Sequence, residues 1–133
     1  MPTTRRTNKF HNHPTTVGGI KFDSRKESLR YQDLLLMLEA GKIFDLKLQP
    51  TFTLQESFKT SNGTTIRAIT YRADFSYLRP AEEGELSNAP ARNGIPMKWV
   101  VEDVKGGTAT QTPEFKIKSK LFADKYGFPI TII

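Results

Sequence analysis

The run Lys98 to Gly107, KWVVEDVKGG, constrains this chain more than any other stretch. Alternate side chains of a strand share a face, so Trp99, Val101, Asp103 and Lys105 fall on one side and Val100, Glu102 and Val104 on the other. Both sides begin apolar, which is the pattern of a central strand covered on each face. The expected fold is therefore layered and α/β. The strand then ends in charge, and charged groups are costly in a dry interior unless they are paired or bound to metal. Asp103 and Lys105 emerge together, about 6–7 Å apart along the strand, just before Gly106-Gly107 breaks it. Either this end is wetter than it looks, or its charges have a task.

The remaining pattern places the strand in a helix, three-strand, helix, strand order. FDSRKESLRYQDLLLMLEAGKI reads as the first helix: Asp23 or Ser24 caps it, Ser24 with Glu27 fits a capping box, and Gly41 stops it. Tyr31, Leu34, Leu35 and Leu38 form its apolar stripe. LKLQPTFTL alternates Leu46, Leu48, Pro50, Phe52 and Leu54 with polar residues, as one strand with Pro50 at an edge or bulge. Asn62-Gly63 marks a hairpin, and IRAITYRADFSYL returns as the second strand. Residues 79–94 read as a long surface connection. TPEFKIKSKLFADKYG is the second helix, with Thr112 as its cap, Pro113 in its first turn and Gly127 as its stop. FPITII closes the chain as a short strand. A helix between the third strand and the last implies a parallel crossover, and the hairpin implies antiparallel pairing before it. The fold class is α/β, an αβββαβ core with a mixed four-stranded sheet flanked by helices.

Composition narrows the function. At 133 residues the chain is one domain, preceded by a flexible basic arm over residues 1–19. It has no cysteine, which excludes disulfides and thiolate-held metals. No apolar run approaches the roughly 20 residues that cross a bilayer, and the basic start lacks the apolar core of a secretory signal, so no membrane partner is expected and a cytoplasmic location is. The formal net charge is +6 and uneven. Seven basic residues meet two acids in residues 1–30, seven meet eight in 31–94, and six meet four in 95–133. Positive charge at both ends fits a polyanionic partner, and equally a merely solvated basic surface.

The acidic positions suggest what is done to such a partner. A carboxylate beside an ammonium at a strand end can hold a divalent cation while the lysine steadies an anion, the two requirements of phosphodiester hydrolysis. An ordinary ion pair explains Asp103 and Lys105 too. Asp74 interrupts a strand of apolar or aromatic neighbours, Ile69, Tyr71, Ala73, Phe75 and Tyr77. If that strand lies beside the third, Asp74 and Asp103 converge on one metal; otherwise Asp74 sits on a solvated face with Arg72 and Ser76. Glu27 precedes Tyr31 by four residues and Leu34 by seven, so it lies on the stripe facing the sheet. It also needs no role beyond capping.

An acid on the first helix, then Asp74, then EDVK on the third strand, resembles the PD-(D/E)XK (restriction-endonuclease-like) nuclease superfamily. FDSRKESLRYQDLLLMLEAGKI, LKLQPTFTL, YRADFSYL, VVEDVKG and FKIKSKLFADKYG together resemble a family of small phage and prophage proteins, from about Gly19 to the C-terminus. The resemblance implies a nuclease domain over residues 20–133 and a catalytic set of Glu27, Asp74, Asp103 and Lys105. Asp74 and Asp103, with Glu27, would hold Mg2+ or Mn2+. Ala73 stands where the motif has proline. Glu102 competes with Asp103 as ligand, although alternation favours Asp103, which shares a face with Lys105. The expected activity is a metal-dependent endodeoxyribonuclease leaving a 5′-phosphate and a 3′-hydroxyl. Its expected substrate is branched or double-stranded DNA, such as a Holliday junction in phage recombination, cut by a homodimer in the host cytoplasm. Arg5, Arg6, Lys9, Lys21, Arg25, Lys116, Lys118 and Lys120 are the expected contacts to the DNA backbone. A non-catalytic nucleic-acid-binding protein that keeps the fold is the alternative.

Two motifs mislead. The adjacent letters HNH at His11–His13 are not the dispersed set of that other nuclease class, and GGTATQT lacks the Gly-Lys-Ser/Thr ending of a phosphate loop.

Overall fold

The computed structural model describes residues 15–105 and 111–133. In chain order the elements are β1 (Thr15–Val17), β2 (Ile20–Phe22), α1 (Arg25–Glu39), β3 (Phe44–Leu48), β4 (Thr51–Gln55), β5 (Phe58–Lys59), β6 (Thr65–Ile66), β7 (Ile69–Arg72), β8 (Phe75–Pro80), β9 (Ala89–Arg92), β10 (Ile95–Asp103), α2 (Pro113–Tyr126) and β11 (Thr131–Ile132). The result is a mixed α/β molecule: a curled, mainly antiparallel sheet with two helices. Among the described residues no helix is long and apolar enough to cross a membrane.

The main sheet runs β11-β10-β8-β3, and β9 pairs with the start of β10. β10 and β11 are parallel and the other pairs antiparallel, so the crossover through α2 has the expected direction. Alternation along β10 also follows the sequence reading. Trp99 and Val101 pack with Phe115 and Phe122 of α2, whereas Val100 packs with Leu34 of α1. Both faces of this strand are covered, which is why Trp99, Val100 and Val101 are apolar on each side.

Several expectations need correction. LKLQPTFTL is two strands, not one. β3 and β4 are separated by Gln49, which has a left-handed φ of 50°, and by Pro50, and they pair in different sheets. IRAITYRADFSYL is likewise divided, into β7 and β8, at Ala73-Asp74. The two breaks face each other: the Gln49 amide donates to the Asp74 carbonyl at 2.9 Å, and the Ala73 amide to the Pro50 carbonyl at 3.0 Å. The ribbon therefore folds at a paired kink that moves it from one core to the other. Phe52, Leu54, Tyr71 and Ala73 lie in the α2 core; Leu46, Leu48, Phe75 and Tyr77 lie in the α1 core. Unbroken alternation would have kept all eight on one face.

The surface connection 79–94 contains β9, which returns through Asn93-Gly94 to β10; both turn residues have positive φ, 51° and 79°. The last residues of the expected arm are also ordered into structure, because β1 pairs with β2 across a Gly18-Gly19 turn whose two positive φ values suit a tight hairpin. Residues 1–14 of that arm lie outside the described residues. On α1, Leu34 is buried as expected, but Leu38 is exposed, and Glu27 and Ser28 turn inward with Leu34.

Candidate functional site

The kink that divides the ribbon projects Asp74 at the point where the two cores meet. Its amide donates to the Glu102 carbonyl at 3.0 Å, and its Oδ2 accepts from the Val104 amide at 2.6 Å. These two bonds bracket Asp103. The carboxylates thus come together through backbone pairing at the end of β10, and their charges interact: Asp103 helps raise the pKa of Asp74, and Lys105 opposes the rise. Burial is the largest cause, and it brings Asp74 to about 6.

Asp103 is nine-tenths buried and held from two sides. The Tyr71 hydroxyl, on β7, donates to Oδ2 at 2.6 Å, and the Lys105 ammonium lies 2.9 Å from Oδ1. Burial first, then this bond to Asp103, pushes the Tyr71 phenol well above its ordinary range, so it stays a donor. The Lys105 ammonium also sits 3.7 Å above the Phe115 ring in the first turn of α2, a cation–π contact.

Glu27 approaches from the other helix. Ser24 caps α1 by accepting the Glu27 amide at 3.1 Å, so half of the capping box forms. The Glu27 side chain does not complete the box. It turns into the protein, 4% exposed, and its buried Oε1 has no hydrogen-bond partner. Its pKa is pushed up to about 7, by burial first and then by Asp74 and Asp23; Gln49 and Arg72 pull the other way. The first turn of α1 is fixed over the strand ends by Lys26, which donates to the carbonyls of Lys105 at 2.6 Å and Ile133 at 3.1 Å.

Asp74 is therefore the hinge of the cluster, coupled to Glu27 on one side and to Asp103 with Lys105 on the other. Oxygen donors of this kind suit a hard divalent cation, which typically takes one or two carboxylates and keeps several waters. The orphaned Oε1 and the raised proton affinities of Glu27 and Asp74 fit the same purpose, since a cation would relieve both. Among the described residues, no three His, Cys, Asp or Glu stand in a ligating arrangement as they are. Tyr71, Lys105 and the Val104 amide take the oxygens instead.

Glu102 faces the opposite way. Arg30 of α1 grips it with two bonds, Nε to Oε1 at 2.8 Å and Nη2 to Oε2 at 2.6 Å, and the Tyr77 hydroxyl donates to Oε2 as well. Glu102 is fully buried, and its hydrogen bond holds the Arg30 guanidinium protonated beyond its usual range. This triad joins α1 to β8 and β10, on the wall of a cavity of about 320 Å3. It answers half of the puzzle in KWVVEDVKGG: Glu102 is paired within the protein and is not free to bind a metal.

Sequence reasoning missed Tyr71, Gln49 and Asp23 as parts of the cluster. Tyr71 had been an apolar strand position, Gln49 a polar spacer and Asp23 a capping candidate; no local pattern shows that a kink gathers them. Of the basic residues, Lys21, Arg25, Lys116 and Lys120 are exposed, and Lys118 pairs with Glu114 at 3.0 Å. Arg5, Arg6 and Lys9 lie outside the described residues, as do His11 and His13.

Comparison with known proteins adds one match. A family model described as "Protein of unknown function (DUF1064)" matches residues 7–88, more than half of the chain. The match includes Glu27, Gln49, Tyr71 and Asp74 and ends before β10. No curated protein and no solved structure matches.

Proposed function

We propose that this chain, which belongs to the DUF1064 family of proteins of unknown function, is a metal-dependent endodeoxyribonuclease of the PD-(D/E)XK type. The observation that carries the reading is the buried, unpartnered Oε1 of Glu27 beside Asp74, next to the Asp103–Lys105 pair. A stable fold has no use for a buried carboxylate oxygen left without a partner, which costs free energy on its own.

In this reading Asp74 and Asp103 hold Mg2+ or Mn2+, with Glu27 directly or through water. When bound, the cation lowers the pKa of a water and offsets charge on the phosphate. The protein's own groups do the remaining work. Lys105 leaves Oδ1 of Asp103 and places its ammonium against the phosphate, where negative charge accumulates during the reaction. Tyr71 keeps its bond to Oδ2 and so fixes the orientation of Asp103. Lys26 holds α1 down, which keeps Glu27 over the strand ends. Lys21, Arg25, Lys116 and Lys120 contact the DNA backbone, and branched DNA cut by a homodimer is the proposed substrate.

The test is cleavage of branched and linear DNA with Mg2+ or Mn2+ and with chelator. Cleavage that needs the metal and disappears in Asp103→Ala, while DNA binding persists, is the expected result. One observation favours a second reading: both oxygens of Asp103 are already occupied by protein groups. A non-catalytic DNA-binding protein predicts salt-sensitive binding and no cleavage with any metal.

A further inference from the structure

A second polar assembly backs the carboxylate cluster, and each of its members is a chain neighbour of one of the three acids. Arg30 follows Glu27 by three residues on α1, Tyr77 on β8 follows Asp74 by three, and Glu102 directly precedes Asp103 on β10. The three side chains meet. Arg30 holds both oxygens of Glu102, at 2.8 and 2.6 Å, and the Tyr77 hydroxyl donates to Oε2. Glu102 is tied to the acids by its backbone as well, since its carbonyl accepts the Asp74 amide at 3.0 Å. One residue thus bonds to α1 through its side chain and to the Asp74 kink through its main chain.

Glu27 needs such a hold. Its Oε1 is buried without a partner, and a roll of α1 that brought this oxygen to water would relieve the cost. Leu34 packs α1 against the sheet, but hydrophobic contact is non-directional and does not fix a roll. Lys26 reaches the Lys105 and Ile133 carbonyls on a long flexible stem. The Arg30 guanidinium is planar and doubly bonded to one carboxylate, so its hold is directional. It lies one turn from Glu27, so the orientation it imposes on the helix is imposed on Glu27 too. The side chains of Arg30 and Glu102 are only 20% and 1% exposed, so this is no screened surface contact. A buried ion pair is weak evidence of stability; its best-attested use is to fix register.

We propose that Arg30, Glu102 and Tyr77 are positioning residues of the carboxylate site, a clamp that sets the roll of α1 and keeps Glu27 turned toward Asp74. The inference rests on the nuclease reading for its purpose, a preorganised metal seat. Its mechanics rest on the protein's own hydrogen bonds. The test is the double variant Arg30→Met/Glu102→Leu, which keeps an apolar contact between α1 and β10 and removes only its directionality. In chelator and above neutral pH, Glu27→Gln is introduced into the parent and into this background, and stability is read by chemical denaturation. In the parent the substitution stabilises, because it removes a buried charge. In the apolar background α1 rolls, Glu27 reaches water, and the same substitution changes nothing, a non-additivity that marks coupled residues. In titration calorimetry the apolar variant binds Mn2+ about tenfold more weakly than the parent.

An equal effect of Glu27→Gln in both backgrounds, or parental Mn2+ affinity in the apolar variant, makes the pair purely structural and overturns the inference. Retained metal-dependent cleavage then leaves the nuclease reading intact. A parent that binds no Mn2+ sinks the nuclease reading instead, and the comparison in chelator decides the clamp by itself. Should the apolar variant not fold, Tyr77→Phe replaces it, since it removes a single hydroxyl from Glu102. It then shrinks the Glu27→Gln effect and weakens Mn2+ binding in the same directions by smaller amounts, and parental values for both overturn the inference.

Discussion

Tyr71 and Glu27 carry the sharpest residue-level consequences. Tyr71→Phe removes one hydroxyl and leaves Oδ2 of Asp103 buried without its donor. The expected stability cost is about 1–3 kcal/mol, read by chemical denaturation. If Asp103 ligates a metal, losing this outer bond also weakens Mn2+ affinity by about 10–100-fold, read by titration calorimetry; a purely structural tyrosine shows only the first effect. The raised pKa values give a pH dependence whose sign is fixed. Glu27 titrates at about 7 in the folded protein against 4.5 ordinarily, and Asp74 at about 6 against 3.8. The folded state therefore binds protons more readily than the unfolded one, so this contribution is complete below the ordinary values and is lost as pH rises through about 6 and 7. The metal-free protein should lose thermal stability across that window, and Glu27→Gln should flatten the loss. Added Mn2+ should raise the unfolding midpoint more above the window than below it, because ligation needs both carboxylates ionised. A midpoint that rises with pH across the window would contradict the cluster.

The elements depend on pairings that local pattern only half reveals. Helix limits were legible because caps are local chemistry: Ser24 and Thr112 accept amides three residues on, and Gly127 takes the left-handed φ of 83°. The division of the long strands was not legible, since Leu46 to Leu54 keep perfect alternation through the kink and only Pro50 hinted at it. The attachment of α1 is also tertiary. Arg30→Ala would leave the buried Glu102 without its counter-charge, held only by the Tyr77 hydroxyl, with an expected cost of about 3–5 kcal/mol. Replacing both by well-packed apolar residues, Arg30→Met with Glu102→Leu, should recover most of it. A single variant as stable as the parent would show that Glu102 finds another partner or takes up a proton.

At the scale of the whole molecule, charge and fold act together. The net +6 is a statement about partners and not about architecture. If DNA is the partner, affinity should fall at least about tenfold between ~50 and ~200 mM salt. Removing residues 2–13, with Arg5, Arg6 and Lys9, should make that slope shallower by about 3, one for each lost phosphate contact. Filter binding over a salt series checks both, and a flat series would remove nucleic acid from the account.

By itself, the sequence determined the two capped helices, the doubly covered strand from Trp99 onward and the division of its charges between faces. Each follows from interactions within a few residues or from the two-residue period of a strand. Only the tertiary structure decided that Gln49-Pro50 and Ala73-Asp74 break opposite each other. That paired break carries the ribbon from one core to the other, and it sets Asp74 between Glu27 and Asp103. No local pattern encodes it, because a kink held by hydrogen bonds between residues 49 and 74 exists only once the strands have paired.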